Sequence, residues 1–60
     1  MPGTIAIVED EANIVELIKY NLDREGYRTI SASNGRKGLE LVRKELPDLV
    51  ILDLMLPDLS

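Results

Sequence analysis

The chain has 60 residues, with seven Lys plus Arg against eleven Asp plus Glu for a formal net charge of -4, 45% apolar residues and no Cys or His. That apolar share is too high for a disordered chain, the length admits one small domain at most, and without Cys or His there are neither disulfides nor the soft ligands of a zinc site. Any bound metal would be hard and oxygen-ligated, the acidic balance argues against the chain gripping nucleic acid unaided, and no apolar run approaches the roughly 18 residues of a membrane span. The opening Met1-Pro2-Gly3-Thr4 lacks the basic-then-apolar pattern of a secretory signal, so the expected compartment is the cytoplasm.

Ile5-Ala6-Ile7-Val8 is a continuous apolar run rich in β-branched residues, which predicts a strand buried on both faces. It stops at Glu9-Asp10-Glu11, and from Ala12 the period changes. Ile14, Leu17, Ile18 and Leu22 fall on one face of a helix, Asp10 or Glu11 lies where a cap and the helix dipole favour negative charge, and Gly26 supplies the stop. Arg28-Thr29-Ile30-Ser31-Ala32 is a partly polar strand suited to a sheet edge. Ser33-Asn34-Gly35 reads as a turn with Asn34 or Ser33 as N-cap, and Leu39, Val42 and Leu46 mark a second helical face closed by Pro47. Leu49-Val50-Ile51-Leu52 is a second fully apolar strand ending in Asp53, and the segment Leu54 to Ser60 reads as loop, because Pro57 resists both strand and helix. Tyr20 and Tyr27 are expected to pack at the helix and at the start of the second strand, and Arg36, Lys37, Arg43 and Lys44 to form a solvated helix face.

The predicted order is strand, helix, strand, helix, strand. Helical crossovers make the strands parallel, and the two fully apolar strands belong at the centre. The fold class is therefore α/β: a doubly wound parallel sheet with spatial order 2-1-3, its helices on opposite faces. Parallel neighbours end on the same sheet edge, so Glu9 and Asp10 after strand one and Asp53 after strand three converge at the crevice where such sheets bind ligands. Three carboxylates that close cannot all stay ionised and dry, so either one takes up a proton or a divalent cation sits among them, and Mg2+ suits an oxygen cage with waters to spare. A carboxylate beside such a metal can serve as a phosphoryl acceptor, for which Asp53, ending the apolar run, is the natural choice. There is no Gly-rich phosphate loop, so the phosphoryl group would come from a partner or a small donor.

These residues match a family. Val8-Glu9-Asp10-Glu11 and Leu52-Asp53-Leu54-Met55-Leu56-Pro57 closely resemble the receiver domain of bacterial two-component response regulators, as do Glu25-Gly26-Tyr27, Ala32 to Gly35 and Pro47-Asp48-Leu49. The resemblance spans essentially the whole chain, and the Asp-Leu-Met-Leu-Pro run is most similar to the winged-helix transcription factor branch. It implies a flavodoxin-like fold in which Asp53 is the phosphoacceptor, taking the group from a sensor histidine kinase. It further implies that Glu9 and Asp10 hold Mg2+, with Asp53 and the backbone carbonyl of Met55 completing the protein ligands, and that Pro57 shapes the following loop. Glu9 stands where the family more often has Asp, and this variant is expected to reach the metal through water.

The family's receivers are longer, with five strands and five helices, so residues 1–60 are expected to be the N-terminal half of a receiver domain. The hydroxyl residue after strand four and the lysine after strand five, which bind the phosphoryl group in relatives, are expected outside this sequence. So is the family's switch aromatic. The half alone should therefore be impaired as a phosphoacceptor. The chain is read as its kinase's substrate and not an enzyme, with DNA contacted only through an output domain outside these residues and no membrane partner. Its core should be marginal, and the apolar edge of strand three should favour self-association. One alternative is an inactive half-fold serving as an interaction module. A metal-dependent phosphohydrolase with an aspartyl intermediate is disfavoured, because such sites usually carry a second Asp two residues after the nucleophile, where this chain has Met55.

Overall fold

A computed structural model describes residues 3–52, which form β1 (Thr4–Val8), α1 (Ala12–Arg24), β2 (Arg28–Ala32), α2 (Gly35–Glu45) and β3 (Leu49–Leu52). The strands make one parallel sheet in the order β2-β1-β3, with Val8 in register with Ala32 on one side and Leu52 on the other. The predicted α/β class, strand order and element sequence are thus the observed ones. The expected loop over residues 54–60 lies outside the described residues.

β1 occupies the centre of the described sheet, flanked by β2 and β3. Its Ile5, Ala6, Ile7 and Val8 are the buried hydrophobic residues among those described. Side chains alternate along parallel strands, so the register sets Ala6, Val8, Ile30, Ala32, Val50 and Leu52 on one face and Ile5, Ile7, Thr29 and Ile51 on the other. α2 covers the first face, at Gly38, so closely that a Cβ there would lie 2.7 Å from Val8 Cγ2. α1 rests on the second, where Lys19 Nζ donates to Thr29 Oγ1 at 2.9 Å and that hydroxyl donates to Asp23 Oδ1 at 3.0 Å. The helices therefore lie on opposite faces, as a doubly wound sheet requires.

The helix ends follow local chemistry. α1 closes as expected at Gly26: its φ of 91° lets the Gly26 N–H reach the Asp23 carbonyl and the Tyr27 N–H the Leu22 carbonyl, the paired bonds of a Schellman stop. At the other end Glu11 holds the N-cap position but makes no side-chain cap bond. Its contribution to α1 is confined to its carbonyl, which accepts from Ile14 N and Val15 N, and to charge beside the helix dipole. α2 is capped by Asn34, whose Oδ1 accepts from Lys37 N at 2.8 Å. It ends at Leu46 in the left-handed region, φ 48°, ahead of Pro47.

The helical faces differ from the expected ones. α1 buries no residue completely; its inward side is Val15, Ile18, Lys19 and Leu22, whereas Ile14 is exposed and Leu17 is 63% exposed. α1 packs chiefly on β2, a strand at the sheet's edge, so a wide apolar stripe overhangs it. Leu39 is exposed and Leu46 is 78% exposed, since the helix meets the sheet through Gly35 and Gly38, and Leu46 lies past its end. Tyr20 also faces solvent, with the Arg24 guanidinium 5.7 Å from its ring centre.

Candidate functional site

Parallel strands deliver their C-terminal ends to one edge, and at that edge β1 hands the chain to Glu9 and Asp10. Glu9 is fixed at both backbone and side chain. Its N–H donates to the Ala32 carbonyl at 3.1 Å, extending the β1–β2 ladder by one residue, and its Oε2 accepts from Glu11 N at 3.1 Å. That two-residue carboxylate turn explains why the acidic run makes a sharp corner before α1. Glu9 is only 8% exposed, a low figure for a carboxylate, while Asp10 is exposed.

Around this corner the first turns of α1 and α2 and the end of β2 enclose a depression of ≈ 420 Å³, lined by Glu9, Asp10, Ala12, Val15, Glu16, Ser31, Ala32, Ser33 and Lys37. The expected pair Glu9 and Asp10 thus share one cleft. Sequence reasoning left Lys37 among solvated helix residues, yet it lines the same cleft. The signal was available: with Asn34 as N-cap, Lys37 belongs to the first turn of α2, immediately beyond the end of β2.

Asp53, Met55 and Pro57 lie outside the described residues, so their expected convergence with Glu9 and Asp10 is not among the observed contacts. Among the described residues no group of three His, Cys, Asp or Glu side chains is close enough to hold a metal. What the described residues fix is the platform: Val8, the residue before Glu9, is in register with Leu52, the residue before Asp53. The donors lining the cleft, the carboxylates of Glu9, Asp10 and Glu16 with the hydroxyls of Ser31 and Ser33 and no thiol or imidazole, suit a hard cation and not a soft one.

Residues 5–60 match the model of the response regulator receiver domain, and the chain belongs to that family. It is 51% identical over all 60 residues to the alkaline phosphatase synthesis transcriptional regulatory protein PhoP of Bacillus subtilis (strain 168), of which it covers 25%. It is 47% identical over 56 residues, 93% of the chain, to the probable transcriptional regulator ycf27 of Porphyra purpurea, covering 23% of that protein. The chain therefore spans about a quarter of the length of these curated relatives. Among the described residues no helix is long and apolar enough to cross a membrane.

Proposed function

We propose that this chain is the N-terminal half of a receiver domain that accepts a phosphoryl group on Asp53 from a sensor histidine kinase and governs a transcriptional output through a further domain of winged-helix type. The observation that carries this reading is the in-register end of β1 and β3, which leads the chain into Glu9-Asp10 on one strand and Asp53 on its neighbour. An oxygen of the Asp53 carboxylate would attack the donor phosphorus in line, the bond from phosphorus to the donor's histidine nitrogen would break, and a mixed anhydride would remain on Asp53. Glu9, Asp10, Asp53 and the Met55 carbonyl would hold Mg2+. When bound, that ion supplies neutralisation of the phosphoryl oxygens. Glu9, pinned through its side chain to the Glu11 amide, fits a role at the rim of that shell, acting through a water, whereas exposed Asp10 is free to turn inward. On this reading the expected compartment is the cytoplasm, where such a kinase would present its phosphohistidine. The relatives' printed names describe transcriptional regulators, which supports the same output here.

The test is incubation with acetyl phosphate and Mg2+ followed by intact-mass measurement. The expected result is the gain of one phosphoryl group on a fraction of the chain, lower than in an intact receiver, lost in Asp53→Asn and reduced in the Glu9→Gln, Asp10→Asn double variant. Equal labelling of Asp53→Asn would overturn the acceptor assignment.

A second reading, an interaction module that pairs through its edge, is favoured by β3. Among the described residues this strand is bonded only to β1, and its Leu49 is 55% exposed, with Val50 and Leu52 exposed as well. Phosphoryl labelling separates the two readings, because edge pairing needs no acceptor.

A further inference from the structure

At the opposite end of the sheet from the carboxylates, β1 and β3 are joined by a bond that does not belong to the regular ladder. The Thr4 N–H donates to Asp48 Oδ2 at 2.8 Å, while the Asp48 N–H donates to the Thr4 carbonyl at 2.8 Å. One residue therefore holds both the donor and the acceptor of Thr4, one of them through a charge-assisted bond. The space beside it is closed as well: a Cβ on Gly3 would lie 2.7 Å from Asp48 Cγ and overlap Oδ2. Just upstream, Leu46 in the left-handed region and Pro47, which has no N–H to continue a helix, end α2 before Asp48. Neither Gly3 nor Asp48 has a place in the carboxylate cleft.

We infer that Asp48 is a positioning residue: its carboxylate, seated against Gly3, clasps the start of β1 and sets the register of β1 on β3. Register is what this site depends on, because a one-residue slip would turn every β3 side chain to the other face and a longer slip would carry Asp53 past Glu9 and Asp10. β3 needs such a lock more than β2 does. It is four residues long, and its Leu49-Val50-Ile51-Leu52 run offers apolar side chains to both faces, so hydrophobic pattern alone distinguishes registers poorly. β2 alternates polar and apolar residues and carries its own marker in the Lys19–Thr29–Asp23 chain. The inference rests on the receiver reading only for the consequence at Asp53; the clasp itself is independent of it.

The experiment uses the 60-residue chain and compares it with Asp48→Ala, Asp48→Asn, Gly3→Ala and the Gly3→Ala, Asp48→Ala double variant. By amide hydrogen exchange, Asp48→Ala should release the Thr4 N–H about tenfold faster, and Asp48→Asn, which keeps an acceptor oxygen, should restore most of the protection. The cross-strand nuclear Overhauser contacts between Val8 and Leu52 should weaken or double in Asp48→Ala and persist in Asp48→Asn. Gly3→Ala should destabilise the parent chain and cost much less once Asp48 is Ala, since the group it collides with has gone. Mg2+ affinity should fall in Asp48→Ala, whereas Tyr20→Ala, an exposed α1 position outside both the clasp and the cleft, should leave it unchanged. Unaltered Thr4 exchange with unaltered Val8–Leu52 contacts in Asp48→Ala, or an equal cost of Gly3→Ala in both backgrounds, would overturn the inference. If the parent chain binds no Mg2+, the metal reading falls, and the exchange and cross-strand results alone decide the clasp.

Discussion

Gly38 shows how a single side chain sets the distance between layers. Ala is the better helix former by about 1 kcal/mol, so an exposed α2 would be strengthened by Gly38→Ala. Here the added methyl would press on both Val8 methyl carbons, at 2.7 and 2.9 Å, in the central strand whose end carries Glu9. The collision should outweigh the propensity, and thermal unfolding of Gly38→Ala should show a loss of about 1–3 kcal/mol. A stabilised variant would mean that α2 does not ride on β1 as closely as described. Glu9 is fixed in a comparable way, by two backbone partners, and its neighbour Asp10 is not. That difference explains why a glutamate can serve at the corner: its longer stem is spent reaching back to the Glu11 amide.

At the scale of elements, the most local signals were the most legible. Asn34 before a helical period, Gly26 after one, and Pro47 before an apolar run each act through the backbone of a few residues, and each is found where expected. Asn34→Ala removes the acceptor for the Lys37 N–H and should cost about 1 kcal/mol by chemical denaturation, with Asn34→Asp close to neutral; equal losses for both would deny the cap. The outward faces were less legible. Periodicity gives the phase of a stripe but not which part of it another layer covers, so Ile14, Leu17 and Leu39 read as core and are exposed. Glu11 illustrates a different gap: it takes the cap position, but its side chain makes no cap bond, and it acts through its carbonyl.

β3 carries the clearest consequence of that uncovered apolar surface. Its outer edge is unpaired within the described sheet, and the groove beside it is lined by Val8, Leu39, Val42, Val50 and Leu52. Flat apolar edges pair with other chains, and a charge on them opposes this. Sedimentation of the 60-residue chain should reveal concentration-dependent association, and Leu49→Lys should shift it toward monomer while leaving the far-ultraviolet circular dichroism unchanged. A monomer at all concentrations would remove the edge as an interface.

Across the whole molecule, the sheet separates stability from chemistry. Among the described residues its buried apolar interior is one strand, Ile5 to Val8, clasped at the Thr4 end by Asp48 and opening at the other end into the carboxylate cleft. The strand order followed from the contrast between apolar runs and the polar Arg28–Ala32 segment, and with it came the adjacency of the Glu9-Asp10 and Asp53 strands. Lys37 escaped notice because a charged residue on a helix reads as solvated until the neighbouring strand end is known. The account turns on whether a cation sits between the ends of β1 and β3. Mn2+, which shares the preference of Mg2+ for oxygen donors, locates such a site directly through paramagnetic broadening of amide signals. The account predicts that trace Mn2+ broadens the signals of Glu9, Asp10 and Asp53 first, that excess Mg2+ reverses this, and that Thr4 and Asp48 at the far end stay sharp. Broadening spread evenly over the acidic residues, or confined to residues away from Glu9 and Asp10, would contradict it.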